Sequence, residues 1–278
     1  MEKLTLAIIG AGNMGASLLG GLIADGYLPE KISVSDPSQE KLHYIEHQFK
    51  VNVTSENREA IESAEIIILA VKPQILAQVA SELAQVVQQK KPLIISIAAG
   101  VRETSLATWL GHDIAIVRCM PNTPALIGCG ASGLYANKNV SEKQRNIAES
   151  ILRSVGLVTW VEDEKLMDVI TALSGSGPAY FFLVMEILQQ TAEKLGLPKQ
   201  IAQLLTIQTA FGAASMALES EASLKTLREQ VTSPGGTTAS ALESLEKNNI
   251  HSLFAEALIA AKKRSEELSI LNDHTVEK

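Results

Sequence analysis

The sequence predicts an α/β protein: a doubly wound, mostly parallel sheet followed by an all-helical C-terminal domain. Three observations carry this. Short apolar runs alternate with longer amphipathic ones through the first half, a glycine-rich turn closes the first of these runs, and after residue 161 strand patterning stops while helical periodicity continues. The domains are therefore drawn at 1–161 and 162–278.

Composition supports this and excludes other classes. The 278 residues are 46% hydrophobic and 20% charged, enough apolar material for two cores. Five Phe, four Tyr and two Trp are few, so the core rests on Ile, Leu, Val and Ala, which argues against an all-β sandwich. A net charge of −7 argues against bulk attraction to nucleic acid or an anionic membrane and leaves a small molecule as the expected ligand. Cys119 and Cys129 form no disulfide framework and match no metal spacing, so a reducing, cytoplasmic setting and no metal are expected. The run Leu4–Ile9 has no basic region before it and no small-residue cleavage site after it, unlike a secretory leader. The apolar stretch Ala172–Leu188 is interrupted by Ser174, Ser176, Pro178 and Glu186, so no membrane span is expected there.

Taken in order, Leu4–Ile9 predicts a strand and Met14–Ala24 a helix; Ile32–Val34 and Gln39–Gln48 repeat the pair. Further strands are expected at Ile66–Ala70, Leu93–Ile97, Ile114–Val117 and Leu157–Val161, each flanked by helical patterns. The first strand ends in Gly10-Ala11-Gly12-Asn13-Met14-Gly15, a G-x-G-x-x-G turn with a strand before it and a helix after it. That context marks a Rossmann-type dinucleotide site. Gly10 permits the tight turn, Gly12 lets a pyrophosphate approach the backbone, and Gly15 lets the helix pack closely; Asn13 and Met14 open a helix whose free amides and dipole favour phosphate. The bland alternative is a glycine turn without a ligand.

The second strand ends at Ser35-Asp36-Pro37-Ser38, about 20 residues beyond the glycines, where an acidic side chain ordinarily accepts from the ribose of NAD. An exposed Asp36 would repel the 2′-phosphate of NADP by roughly 4 kcal/mol at about 4 Å and an effective dielectric near 20. Ser35, Ser38 and Lys41 would hold that phosphate if Asp36 turned away, so both cofactors stay open. Ala70-Val71-Lys72-Pro73 and Ala98-Ala99-Gly100 end later strands and are expected to border the nicotinamide. Lys72 reads equally as a functional group or a solvated loop charge.

The second half predicts helices over Ala179–Leu195, Ile201–Leu218, Ala239–Glu246 and Leu253–Leu268, with Ile270–Lys278 a polar, frayed tail. Tyr180–Leu195 and Ile201–Leu218 are apolar on more than one face, which suits either packing against another subunit or burial within one chain. Three segments rich in Gly, Pro and hydroxyls stand outside core patterning: Met120-Pro121-Asn122-Thr123-Pro124, Ser174 to Tyr180, and Thr232 to Thr238. Together they describe an anion-binding lining; singly they read as caps and turns.

The chain resembles the pyrroline-5-carboxylate reductases through Gly10 to Gly15, Val71-Lys72-Pro73-Gln74, Met120 to Pro124, Ser174 to Tyr180 and, most specifically, Val231 to Leu242. The likeness runs along nearly the whole chain. It implies NAD(P)H-dependent reduction of 1-pyrroline-5-carboxylate to L-proline, the last step of proline biosynthesis, usually with NADPH and with NAD possible. It also implies dimers or larger assemblies of dimers built through the helical domain. The carboxylate-binding loop maps onto Ser233, Gly235, Gly236 and Thr237, with Ser176 in the same lining, and Thr238 maps onto the hydroxyl near the ring nitrogen. Asn122 joins the cofactor side.

Two other functions are weighed. A hydroxyacid dehydrogenase moves a hydroxyl proton and needs a positioned His or Lys, yet Leu166–Glu193 contains no Lys, Arg or His, and His43, His47, His112, His251 and His274 all lie outside the three polar segments. A non-catalytic dinucleotide sensor would keep Gly10 to Gly15 but has no use for the Ser233–Thr238 loop.

Overall fold

A computed structural model describes residues 4–273. Eight strands form one sheet: β1 (Leu6–Ile9), β2 (Ile32–Ser35), β3 (Asn52–Thr54), β4 (Ile66–Leu69), β5 (Leu93–Ser96), β6 (Ile116–Met120), β7 (Gly130–Ala136) and β8 (Gly156–Val161). Their order is β3-β2-β1-β4-β5-β6-β7-β8, and every pair is parallel except β6 with β7. The chain reverses its direction of travel between β1 and β4, which places a crevice beyond their carboxyl ends.

Helices cover both faces, so the central strands read as continuous apolar runs rather than alternating ones. Leu6 and Ile8 of β1 pack with Leu18, Leu19 and Leu22 of α1 (Asn13–Ala24) and Ile45 of α2 (Gln39–Phe49). Ala7 and Ile9 point the other way, into a cluster with Ile61 of α3 (Asn57–Ile61), Leu76 and Leu83 of α4 (Pro73–Lys90) and Leu106 of α5 (Glu103–Leu110). Ser141 begins α6 (Glu142–Arg153) with a reciprocal Ser141–Gln144 capping box.

Strands β3 and β7 were not expected from the sequence. The first is only three residues long and polar at Asn52 and Thr54. The second, Gly-Ala-Ser-Gly-Leu-Tyr-Ala, is poor in β-branched residues because neighbours press on it: a Cβ on Gly133 would overlap the Ile170 side chain, and one on Gly130 would lie 2.8 Å from the Val155 carbonyl oxygen.

Two compact units emerge. The first comprises the residues up to Ser176 together with those from Ala260 onward; the second is Gly177–Ile259. This partition differs from a cut at 161/162. Residues 162–176, which contain α7 (Leu166–Ile170) and a π-helical turn at Thr171–Gly175, stay with the sheet, because Arg118 of β6 pairs with Glu164 at 2.7 Å. Within this unit the end of α12 (Ile250–Asp273) is latched: the Ser265 hydroxyl donates to Asp168 at 2.5 Å, and Asn272 Nδ2 donates to the Gly100 carbonyl at 2.7 Å. The frayed tail expected from Ile270 is therefore helical through Asp273, and its remainder, with His274, lies outside the described residues.

The second unit holds α8 (Gly177–Lys194), α9 (Lys199–Glu219), α10 (Leu224–Gln230), α11 (Thr237–Lys247) and the start of α12. Phe181, Phe182, Leu204 and Phe211 are 70%, 63%, 68% and 66% exposed, far beyond what a finished core leaves open. By length and composition alone, the stretches Leu166–Lys194 and Lys199–Glu219 each contain an 18-residue window apolar enough to cross a membrane, with mean hydropathy 1.2 and 1.4.

Candidate functional site

At the switch point the three glycines of the turn do three different things. Gly10 has φ +108°, and a Cβ there would lie 2.8 Å from the Ala70 carbonyl oxygen. Gly15 sits so close to the Gly10 carbonyl oxygen that a side chain would overlap it. Gly12 is different: its φ of −75° suits any residue, yet nothing lies within 4 Å of its Cβ position. A glycine needed neither for conformation nor for packing, facing open space at a helix start, leaves its backbone open to close approach. No side chain caps α1, and Asn13 is exposed while Met14 is half-buried, so the first-turn amides face outward.

The strand ends converge on this turn. The Gly10 amide donates to the Ser35 carbonyl at 2.8 Å, and the Ala70 amide donates to the Ile9 carbonyl at 2.8 Å. The Ser35 hydroxyl is buried and donates to Asn57 Oδ1 at 2.8 Å, so it stiffens the end of β2 rather than facing a ligand. Asp36 also points inward: its carboxylate accepts from the Ala11 amide and the Ser38 amide, each at 2.9 Å, and pairs with Lys41 at 3.2 Å. Val71 is half-buried, Lys72 is an exposed N-cap, and Pro73 opens α4. Ala98 is buried and Gly100 adopts φ +65°, a turn held by Asn272 from α12.

Asn122 is more committed than its sequence suggested. Buried at the end of β6, it donates through Nδ2 to the Ser174 carbonyl at 3.0 Å and accepts on Oδ1 from the Ala131 amide at 2.9 Å. It thereby ties the Met120–Pro124 segment to the π-turn leading to half-buried Ser176. The same unit holds a network that sequence reasoning missed. Glu164 Oε1 accepts from both Arg118 Nη1 and the Glu103 amide at 2.7 Å, and Asn137 Nδ2 donates to Glu103 at 2.8 Å. Burial, then the charges of Glu164 and Glu103, raise the Tyr135 phenol above its ordinary pKa. No motif marks these residues, which lie far apart in sequence.

In the second unit, Ser233, Gly235, Thr237 and Thr238 are exposed and Gly236 is half-buried. Gly235 turns the chain at φ +71°, the Gly236 amide donates to the Ser233 carbonyl at 3.0 Å, and Gly236 begins α11 without a side-chain cap. The donation expected from the Gly236 amide is thus taken up inside the turn. The first-turn amides of α11, led by Thr237 and Thr238, have no side-chain cap and sit at the positive end of its dipole. Among the described residues no group of three His, Cys, Asp or Glu side chains is placed to hold a metal.

Sheet, glycine cradle and second helical unit define a two-unit, dinucleotide-binding oxidoreductase of the doubly wound class. Residues 164–268 match the family described as pyrroline-5-carboxylate reductase dimerisation, and residues 5–100 match the coenzyme F420-dependent NADP oxidoreductase family. The chain is 49% identical to the pyrroline-5-carboxylate reductase of Pseudomonas aeruginosa, over 97% of this chain and 98% of that one. Among solved structures, a pyrroline-5-carboxylate reductase from Coxiella burnetii superposes with a TM-score of 0.93 at 48% identity, covering 96% of this chain and 99% of its own. The NADP-bound pyrroline carboxylate reductase of Plasmodium falciparum gives 0.86 at 33% identity, covering 97% and 99%. The chain belongs to the pyrroline-5-carboxylate reductase family.

Proposed function

We propose that this chain reduces 1-pyrroline-5-carboxylate to L-proline with NADPH, completing proline biosynthesis. Full-length identity to reductases of this name supports the reaction, and the NADP-bound relative supports the cofactor. The observation that supports the assignment of roles is the uncapped start of α11 behind the Gly235 turn, an arrangement that suits a carboxylate.

When bound, the reduced nicotinamide supplies a hydride to C5 of the imine. The residues of the chain do the rest by positioning. Gly12 and the first turn of α1 hold the pyrophosphate, while the Ala70–Pro73 and Ala98–Gly100 turns border the nicotinamide. The amides of Gly235 and Thr237, with the Ser233 hydroxyl, hold the substrate carboxylate, and Gly236 contributes by shaping the turn. Ser176, which follows the π-helical turn of the first unit, is a further hydroxyl assigned to substrate. Thr238 donates a hydrogen bond to the ring nitrogen; as hydride adds to C5 the C=N π pair passes to that nitrogen, which takes up one proton from solvent. An imine nitrogen is already basic, so no His or Lys base is required.

The apolar faces of α8 and α9 bury against a second copy, which makes the enzyme a homodimer, with larger assemblies built from dimers. Both cysteines are free thiols, which suits a reducing cytoplasm. The test is the loss of reduced-nicotinamide absorbance on mixing enzyme, NADPH and 1-pyrroline-5-carboxylate. Rapid loss with proline formed is the expected result; none, from folded enzyme that binds NADPH, rejects the function.

A further inference from the structure

Asp36 stands where an acidic residue ordinarily receives the ribose hydroxyls of NAD, yet its carboxylate is already engaged. Oδ2 accepts from the Ala11 amide at 2.9 Å, Oδ1 accepts from the Ser38 amide at 2.9 Å, and Lys41 Nζ reaches the two oxygens at 3.2 and 3.4 Å. An ionised carboxylate offers about four acceptor sites. These four contacts occupy them, and a ribose hydroxyl would have to displace one. The Asp36 side chain is 7% exposed, whereas that of Lys41 is 51% exposed. The acidic group is thus the inner member of the pair and the ammonium the outer one.

Resting on the NADPH-dependent function proposed above, we infer that Lys41 is the residue that selects the 2′-phosphorylated dinucleotide, and that Asp36 is a positioning residue bracing the glycine turn against the start of α2. Lys41 acts in two ways. It offsets the Asp36 charge that would repel a phosphate, and it presents an ammonium from the first turn of α2, where the helix dipole favours an anion as well. Ser38, the N-cap of α2, is half-buried on the same turn and adds a hydroxyl. A cofactor without the 2′-phosphate gains nothing from Lys41.

The experiment measures dissociation constants for NADPH and NADH by nicotinamide fluorescence, with wild type, Lys41→Ala and Lys41→Arg, alongside thermal unfolding. A charge-assisted hydrogen bond to phosphate is worth about 10- to 100-fold in affinity. Lys41→Ala is expected to weaken NADPH by at least about tenfold and NADH by less than about threefold, with Lys41→Arg recovering most of the loss. The salt dependence of NADPH binding also becomes shallower in Lys41→Ala, as one ion contact disappears. Equal weakening of both cofactors, or unchanged NADPH affinity, overturns the inference while leaving the function standing. Wild-type protein that binds neither dinucleotide overturns the function and the inference with it.

Discussion

Alanine placed at Gly12 and at Gly10, two residues apart in one turn, separates ligand binding from folding. Gly12 has φ −75° and ψ 177°, and the space its Cβ would enter holds no protein atom within 4 Å. Losing glycine at an N-cap costs about 0.5–1 kcal/mol, and reduced freedom of the unfolded chain returns about 0.4–1 kcal/mol. Gly12→Ala therefore unfolds within a degree or two of wild type. The added methyl instead meets the pyrophosphate, and a forced contact of that kind costs about 1–3 kcal/mol, or roughly 5- to 150-fold in NADPH affinity. Gly10 reverses the pattern. Its φ of +108° penalises any side chain by about 1–2 kcal/mol, and the clash with the Ala70 carbonyl oxygen, at 2.8 Å and part of the backbone, adds about 1–3 kcal/mol. The sum of about 2–5 kcal/mol is a large share of a typical stability of about 5–15 kcal/mol, and lowers Tm by roughly 4 to 20 °C. Calorimetry and a fluorescence titration on the two variants read both quantities. Gly12→Ala that binds NADPH within about twofold of wild type refutes the reasoning about the cradle.

Four further outcomes are expected. Thr238→Ala lowers kcat/KM by roughly tenfold or more with NADPH affinity unchanged, and Thr238→Ser restores most of it; equal kinetics in steady-state assays remove Thr238 from the reaction. Glu164→Gln leaves the Arg118 guanidinium, 8% exposed, with a neutral partner and costs about 2–3 kcal/mol in urea unfolding; a cost below about 0.5 kcal/mol shows the network to be dispensable. Burial pushes the Cys119 thiol up to about 12, so it stays protonated and unreactive through pH 9, while exposed Cys129 takes up one equivalent of a thiol reagent; two equivalents in the folded protein contradict this. Leu204→Asp puts a charge on the exposed face of α9 and raises the dimer dissociation constant by about 100-fold or more; a light-scattering mass unchanged at low concentration argues against that face as the interface.

The sheet was legible because buried parallel strands write themselves as short Ile and Val runs, as β4 does with Ile66 to Leu69. Strand β7 was not, since the contacts that force Gly130 and Gly133 come from Val155 and Ile170, residues more than twenty positions away. The roles of Gly10 in the tight turn and of Gly15 in close helix packing were legible, because local conformation and helix packing determine them. Asp36 was harder. Its identity and position are visible in the sequence, but its direction is decided by the Ala11 and Ser38 amides and by Lys41. Ser35 and Asn122 also carry polar side chains that the structure ties to Asn57 and to Ser174 and Ala131. A hydroxyl or amide in a polar segment looks the same in sequence whether it faces a ligand or the protein. The latch of α12 through Ser265 and Asn272 was hidden for another reason: polar residues near a chain end ordinarily fray.

The most direct test of the reaction follows the transferred atom itself. With NADPH carrying deuterium at C4 of the nicotinamide and unlabelled 1-pyrroline-5-carboxylate, mass spectrometry and NMR of the product should find proline with one deuterium, located at C5. Proline free of deuterium, with both C4 hydrogens of the cofactor replaced, or no proline at all from folded, NADPH-binding enzyme, would contradict hydride transfer from the nicotinamide to the imine carbon.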